Sequence, residues 1–471
     1  MSHLTGLSRR GFLSGAAALS SAAVLPNAIA AGPQIELTAM RAQAQLLAPP
    51  RPATPVWSYD GAFPGPELRF RQGDRLSLRA RNDLDAPTSI HWHGMRVPNA
   101  MDGVAHLTQP PISPGGDFLY EFDLPDAGTY WYHPHMGGAE QLGRGLAGAL
   151  VVEEETPIRV DRDLVWMLQD WRLDHSGAIV PGFDGMHDAM HGGRIGNHVT
   201  LNGRPAPRIA VEPNERLRLR IVNAATARIF ALDFGPLAPV VVALDGQPVA
   251  PHAPKGGALL IGPGMRADIV LDATGAAGAA VPVRDLYRSD AAYEVATLAH
   301  GDTPLRASAP NWDMALPSNP LPEPDLASAM RHEVVFNGGM MGQMMMGAEA
   351  PAMIEQMRQG RMWFVNGRAS EGHDGSALIE AKRGSSQLIA MENRTGWWHP
   401  IHLHGHVFRV ISRDGRPTEH REWRDTVLMA PEERVEIAFR ADNPGDWMLH
   451  CHVLSHQAAG MAALIRVTDA A

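Results

Sequence analysis

Apolar and polar residues alternate with a period of two in short stretches set between turn residues. Arg75-Leu76-Ser77-Leu78-Arg79-Ala80-Arg81 and Arg216-Leu217-Arg218-Leu219-Arg220-Ile221-Val222 are the clearest cases. That period puts successive side chains on opposite faces of a strand, and short strands between Gly- and Pro-rich turns predict β-sandwiches. The chain supplies 47 Gly and 38 Pro for such turns. Helical periodicity is scarce; Ala348 to Met362 carries it, with Met353 and Met357 about one turn apart.

The alternating segments repeat. Gly73 to Asn82 aligns with Asn214 to Asn223 and, more loosely, with Gly384 to Asn393. In the same frame His91-Trp92-His93-Gly94 lands on His402-Leu403-His404-Gly405, and Gly128 to His135 lands on Gly445 to His452. Three copies of one unit predict an all-β chain of three consecutive Greek-key sandwiches, over 33–155, 156–310 and 325–471. The middle copy has Leu232-Asp233-Phe234 in place of His-Trp-His, so it reads as a metal-free spacer. In the first copy Thr88 and Pro134 stand where the third has His399 and Cys451.

Composition narrows the function. With 41 Lys plus Arg against 51 Asp plus Glu the formal charge is −10, and without basic runs this argues against nucleic acid as a partner and favours cationic or neutral substrates. Residues 1–30 read as an export signal: a twin-arginine pattern at Ser8-Arg9-Arg10-Gly11-Phe12-Leu13, a weakly apolar stretch from Gly15 to Leu25, and a cleavage site at Ala28-Ile29-Ala30. The stretch is short for a membrane span, so a soluble periplasmic protein is expected, with the twin-arginine export machinery as a transient partner. Cys451 is the one cysteine, so no internal disulfide forms, and a lone thiol in an oxidising compartment must be buried or metal-bound.

Chance gives about one His-X-His in a chain with 22 His among 471 residues. Five occur: 91/93, 133/135, 402/404, 404/406 and 450/452. On a strand, i and i+2 face one side, so each pair aims two imidazoles at one place. A single pair is most often two ordinary histidines; four pairs in repeat-related positions describe a site. If the first and third copies pack together, eight imidazoles converge, and they divide naturally as two, three and three around a three-metal cluster. Cys451, His456 and Met461 follow the spacing Cys-x4-His-x4-Met, and with His399 they make two imidazoles, one thiolate and a weak axial thioether: a blue-copper electron-transfer set rather than a zinc site. Cys451 lies between His450 and His452, so the backbone joins the two centres.

These residues resemble the copper signatures of the multicopper oxidases, the family of laccases, ascorbate oxidase and bacterial cuprous oxidases. The match covers His91 to Gly94, His133 to His135, His399 to Gly405 and His450 to Met461. The resemblance implies cupredoxin-like sandwiches and four coppers per chain, with four one-electron oxidations coupled to reduction of O2 to two waters. It implies that His399, Cys451, His456 and Met461 hold the type 1 copper and that His91 and His402 hold the type 2 copper. His93, His133 and His452 would hold one type 3 copper, and His135, His404 and His450 the other. His406 falls outside the ligand pattern and is read as lying behind it. Asp102 resembles the acid that the family keeps near its cluster, there to feed or orient protons; Gln457 stands where many bacterial relatives have a second acid.

The reducing substrate is argued from methionines. Met340, Met341, Met344, Met345 and Met346 fall within Gly338 to Gly347, followed by Met353, Met357 and Met362. Thioethers select Cu(I), and Gly-rich chain packs poorly in a core, so the first five are candidate ligands for a substrate copper. Met186-His187-Asp188-Ala189-Met190-His191 adds further soft donors. The cluster's position resembles that of the Met-rich insert of bacterial cuprous oxidases and implies Cu(I) oxidation in copper tolerance. Thr395-Gly396-Trp397-Trp398, just before His399, is more like a laccase, which makes an oxidase of phenols or aromatic amines the alternative.

Overall fold

The computed structural model describes residues 34–340, 350–370 and 376–469. Residues 1–30, read above as an export signal, and Met341, Met344, Met345 and Met346 lie outside them. The described chain is all-β: two four-stranded sheets from the first part, a six- and a five-stranded sheet from the middle, and a seven- and a five-stranded sheet from the last. Each pair of sheets closes on its own apolar core, one around Leu76, Trp92 and Tyr120, one around Leu219, Phe230 and Ile269, and one around Phe336, Ile389 and Trp447. Among the described residues four short α-helices interrupt the strands: α1 (Gly138–Gly143), α2 (Met186–Met190), α3 (Ala350–Arg358) and α4 (Leu454–Ala458). No helix among the described residues is long and apolar enough to cross a membrane.

The repeated segments occupy equivalent places. Arg75–Asn82, Arg216–Asn223 and Ser386–Asn393 are all strands, and each pairs in parallel with the opening strand of its own sheet. The His-X-His strands are equivalent too. His91 sits opposite His133 on an antiparallel neighbour, and His402 sits opposite His450. In the middle copy the matching strand Phe230–Asp233 carries no histidine.

The alternation in Arg216–Asn223 sends Leu217, Leu219 and Ile221 into the middle core. The arginines on the other face are buried as well. Arg218 lies 2.7 Å from both Glu154 and Asp268, Arg220 lies 2.8 Å from Asp163, and the Thr129 hydroxyl of the first sandwich donates to Asp268 at 2.6 Å. A buried charge that loses its partner is costly. Arg218→Met is therefore expected to destabilise the protein by about 3–5 kcal/mol, read as a lower unfolding midpoint in denaturant. An unchanged midpoint would mean that this charge ladder does not hold the sandwiches together.

Candidate metal centre

Strand alternation turns Trp92 into the first core and leaves His91 and His93 on the opposite side. Gly94 then bends the chain with φ +86°; a Cβ there would lie 2.1 Å from the Arg266 guanidinium, so only glycine fits. Strand Gly128–His133 delivers His133, and His135 follows it. From the third sandwich, strand His399–Leu403 supplies His399 and His402, and strand Gly445–Cys451 supplies His450 and Cys451.

The two strand pairs face each other and eight imidazoles converge. His91 stacks on His404 at 4.0 Å between ring centres and His93 on His402 at 3.8 Å. The nitrogens of His135, His404 and His450 lie within one ligand sphere, as do those of His91, His402 and His404. His93 and His133 group with His91, and the His452 ring stands 4.8 Å from His93 and 5.3 Å from His133.

The hydrogen bonds decide what these rings offer. His91 Nδ1 donates to the Asp102 carbonyl at 2.8 Å, His402 Nδ1 to the Asp425 carbonyl at 2.9 Å and His450 Nδ1 to the Cys451 carbonyl at 3.0 Å. His404 Nδ1 donates to Asp102 Oδ2 at 2.9 Å. Each such nitrogen carries the proton, so the opposite Nε2 is a bare lone pair. The Nε2 atoms of His91, His133, His135 and His402 are buried with no partner, and those of His404 and His450 face each other at 3.0 Å. Lone pairs aimed at one another in a dry site repel unless a cation lies among them. Burial, reinforced by neighbouring imidazoles, holds His93, His133, His135, His404 and His452 well below the usual histidine range, and His450 at about 3, which favours the neutral, lone-pair-bearing form of these rings.

The second group has the same logic. Cys451 Sγ is 3.5 Å from His399 Nδ1 and 3.7 Å from His456 Nδ1, and the two nitrogens are 3.2 Å apart. His456 Nε2 donates to the His191 carbonyl at 2.6 Å. The Thr395 hydroxyl donates to Asn393 Oδ1, so its oxygen accepts from His399 Nε2 at 2.8 Å. Both Nδ1 atoms are thus lone pairs aimed at the sulfur. Burial pushes the Cys451 thiol up, so a thiolate forms only as a cation binds and displaces the proton. Met461 is fully buried in the same core, its carbonyl accepting from the Cys451 N–H at 3.1 Å. The donor set of both groups fits copper: imidazoles with free lone pairs in one, imidazoles with a soft sulfur in the other.

Of the remaining sequence candidates, Asp102 is buried between His404 and His91, with Oδ1 3.3 Å from His91 Nδ1. His406 touches the His404 carbonyl at 3.4 Å, but its ring packs against Phe439 and Trp447, away from the cluster. Met340 is 54% exposed. Met353 is fully buried against Phe364, and Met362 joins the third core, so these two fill space. Gln457 lines an open cleft of about 560 Å³ together with His133, His135, Glu140, Arg144 and Phe183. That cleft gives solvent a way to the histidine cluster.

Two groups were not foreseen. Asp425 reaches both His402 and His93, its Oδ1 3.3 Å from His93 Nε2. Burial opposes its ionisation, but the charge and hydrogen bonds of Arg266 outweigh burial and hold the carboxyl well below the usual range. Arg266 belongs to the middle sandwich, and so does the His191 carbonyl that anchors His456. The middle unit, expected to be only a spacer, reaches histidines of both groups through Arg266 and the His191 carbonyl.

A thiolate–imidazole group joined through Cys451 to a buried eight-histidine cluster defines a copper oxidoreductase. Residues 42–157, 162–290 and 347–471 each match a family model described as multicopper oxidase. The chain is similar to the multicopper oxidase MmcO of Mycobacterium tuberculosis, 30% identical over 87% of this chain and 83% of that one. It is also similar to Laccase-1 of Fomitopsis schrenkii, 30% identical over 92% and 86% of the two chains. The crystal structure of a multicopper oxidase from Pseudomonas thermotolerans superposes with a TM-score of 0.82, at 35% identity over 92% of this chain and 99% of that one. The chain belongs to the multicopper oxidases, copper-dependent oxidoreductases that use O2 as electron acceptor.

Proposed function

We propose that this oxidase takes its electrons from Cu(I) and serves copper tolerance in the periplasm, reached by the twin-arginine route. The observation that carries the donor is the run of Met340, Met341, Met344, Met345 and Met346, soft thioethers in Gly-rich chain that has little to gain from a core. The twin-arginine pattern in residues 8–13 supports the location.

The residues divide as follows in this reading. His399, Cys451, His456 and Met461 hold one copper of type 1; His91 and His402 hold type 2; His93, His133 and His452, and His135, His404 and His450, hold the type 3 pair. When bound, these ions cycle between the +1 and +2 states and so gather four electrons for one O2. The chain's own task is to fix geometry and protons. The carbonyls of Asp102, Asp425, Cys451 and His191 set the tautomers of five-membered rings that would otherwise rotate their lone pairs away. Asp102, buried beside His91 and His404, is placed to feed or orient the four protons consumed per O2. The cleft at Gln457 admits O2 and releases water.

The laccase-like alternative, oxidation of phenols or aromatic amines, is favoured by Thr395-Gly396-Trp397-Trp398 and by the similarity to a fungal laccase. Oxygen uptake with Cu(I) and with a methoxyphenol separates the two. Replacing Met341, Met344, Met345 and Met346 by Leu is expected to lower kcat/KM for Cu(I) by about tenfold or more and to spare the phenol. Undiminished Cu(I) oxidation in that variant would remove the methionine run as the ground for the donor, and no Cu(I)-driven oxygen uptake in the unsubstituted protein would sink the cuprous reading.

A further inference from the structure

Helix α2 and its surroundings form a group of soft donors that the two copper centres do not use. The rings of His187 and His191 stack at 4.2 Å and 17°. His191 Nδ1 lies 2.7 Å from the His187 carbonyl, which can only accept, so Nδ1 carries the proton and Nε2 is a lone pair. The His187 side chain is 83% exposed, Met186 is 52% exposed and Met340 is 54% exposed. The Met340 N–H donates to the Met190 carbonyl at 3.1 Å, which ties the edge of the third sandwich to the helix of the middle one. Exposed thioethers and imidazoles from two sandwiches therefore lie on and beside α2, where the two segments touch through their backbones.

The carboxylate beside the group, Asp188, has Oδ1 3.9 Å from His187 Nδ1, but its charge is taken up by an arginine. Asp188 is buried and committed to Arg172 at 2.7 and 2.9 Å. What remains is a set of thioethers and imidazoles, donors that favour a soft ion over a hard one. The group also sits directly over an electron entry point. The His191 carbonyl accepts the His456 Nε2 proton at 2.6 Å, and the Ala189 carbonyl accepts the indole N–H of Trp363, whose ring lies 4.2 Å from that of His456. The backbone of α2 is the cover of His456.

We infer that Met186, His187, His191 and Met340 form a surface site for one Cu(I) ion, separated from His456 by the His191 backbone and one hydrogen bond. The inference rests on the proposal that Cu(I) is the donor, and it places the docking point on α2 rather than on the Met-rich run alone. The bound ion gives up one electron, passing from +1 to +2, and leaves, since thioethers hold Cu(II) poorly. The electron would be taken up by the copper that His399, Cys451 and His456 would hold. Four such ions, with four protons, account for one O2 becoming two waters.

The test uses the copper-loaded full chain with Met341, Met344, Met345 and Met346 replaced by Leu, titrated calorimetrically with Ag(I), a redox-inert soft ion of the same charge. One Ag(I) per chain is expected, and adding Met186→Leu with His187→Ala should weaken it by about tenfold or more. In the unsubstituted protein, Ag(I) should protect His187 and His191 from diethyl pyrocarbonate, read by peptide mass spectrometry; this arm does not depend on how any variant folds. No Ag(I) bound in the four-Leu protein, undiminished binding after the α2 substitutions, or His187 modified at the same rate with and without Ag(I) would each overturn the site. Ag(I) bound at α2 without any Cu(I)-driven oxygen uptake would overturn the donor reading and leave the site standing.

Discussion

Cys451→Ser is expected to stop oxygen uptake with Cu(I) and phenol alike, by about a thousandfold or more in kcat, some 4 kcal/mol of lost activation. The reason lies in one atom. Sγ is the soft donor at 3.5 and 3.7 Å from the two Nδ1 atoms, and a serine hydroxyl is hard and stays protonated where the thiol would yield its proton to a bound cation. The fold should survive, because the Val453 N–H that points at Sγ finds an acceptor in the hydroxyl. Metal analysis should give one copper fewer per chain, with the eight-histidine cluster still loaded. The substitution also acts on both donors equally, unlike the methionine replacements, since Cys451 stands after the point where donors differ. A C451S protein with a full copper complement and normal oxygen uptake would mean that the electrons do not enter through this group.

Much of this was legible in the sequence because strands convert spacing into direction. Two histidines at i and i+2 must point one way, so His91/His93 and His450/His452 announce a site before any fold is known. The repeat then showed that the first and third copies carry matching halves. What stayed hidden acts across distance or through the backbone. Arg266 and Asp425 are 159 residues apart and carry no shared motif. The His191 carbonyl reaches His456 from 265 residues away, and every residue has a carbonyl, so no residue type signals it. Alternation in Arg216–Asn223 gave the strand but could not tell what covers its charged face, which proved to be carboxylates such as Glu154 and Asp163. The methionines divided for the same reason: period alone cannot separate a ligand from a core filler, and packing makes Met353 the latter.

Asp102→Asn is expected to lower kcat by about 10²–10⁴ with either donor, while the copper content and the KM for the donor stay close to those of the unsubstituted protein. Asp102 touches the cluster through two atoms with different tasks. Its carbonyl fixes His91, and that bond survives in Asn because it belongs to the backbone. Its carboxylate accepts from His404 Nδ1 at 2.9 Å, and an amide oxygen can still accept there. The ligands therefore keep their orientation, and copper should still load. The loss is at Oδ1, which in the variant becomes an NH2 facing His91 Nδ1 at 3.3 Å, a donor against a donor, with no charge and no basic lone pair. A merely structural Asp102 would respond to the substitution with a lower unfolding midpoint or missing copper. A proton-relaying Asp102 responds with a slower turnover and an altered dependence of kcat on pH while the copper count is unchanged. If D102N turns over at the normal rate across the pH range, the protons reach the cluster by another route, and the cleft between Glu140 and Gln457 is the place to look for it.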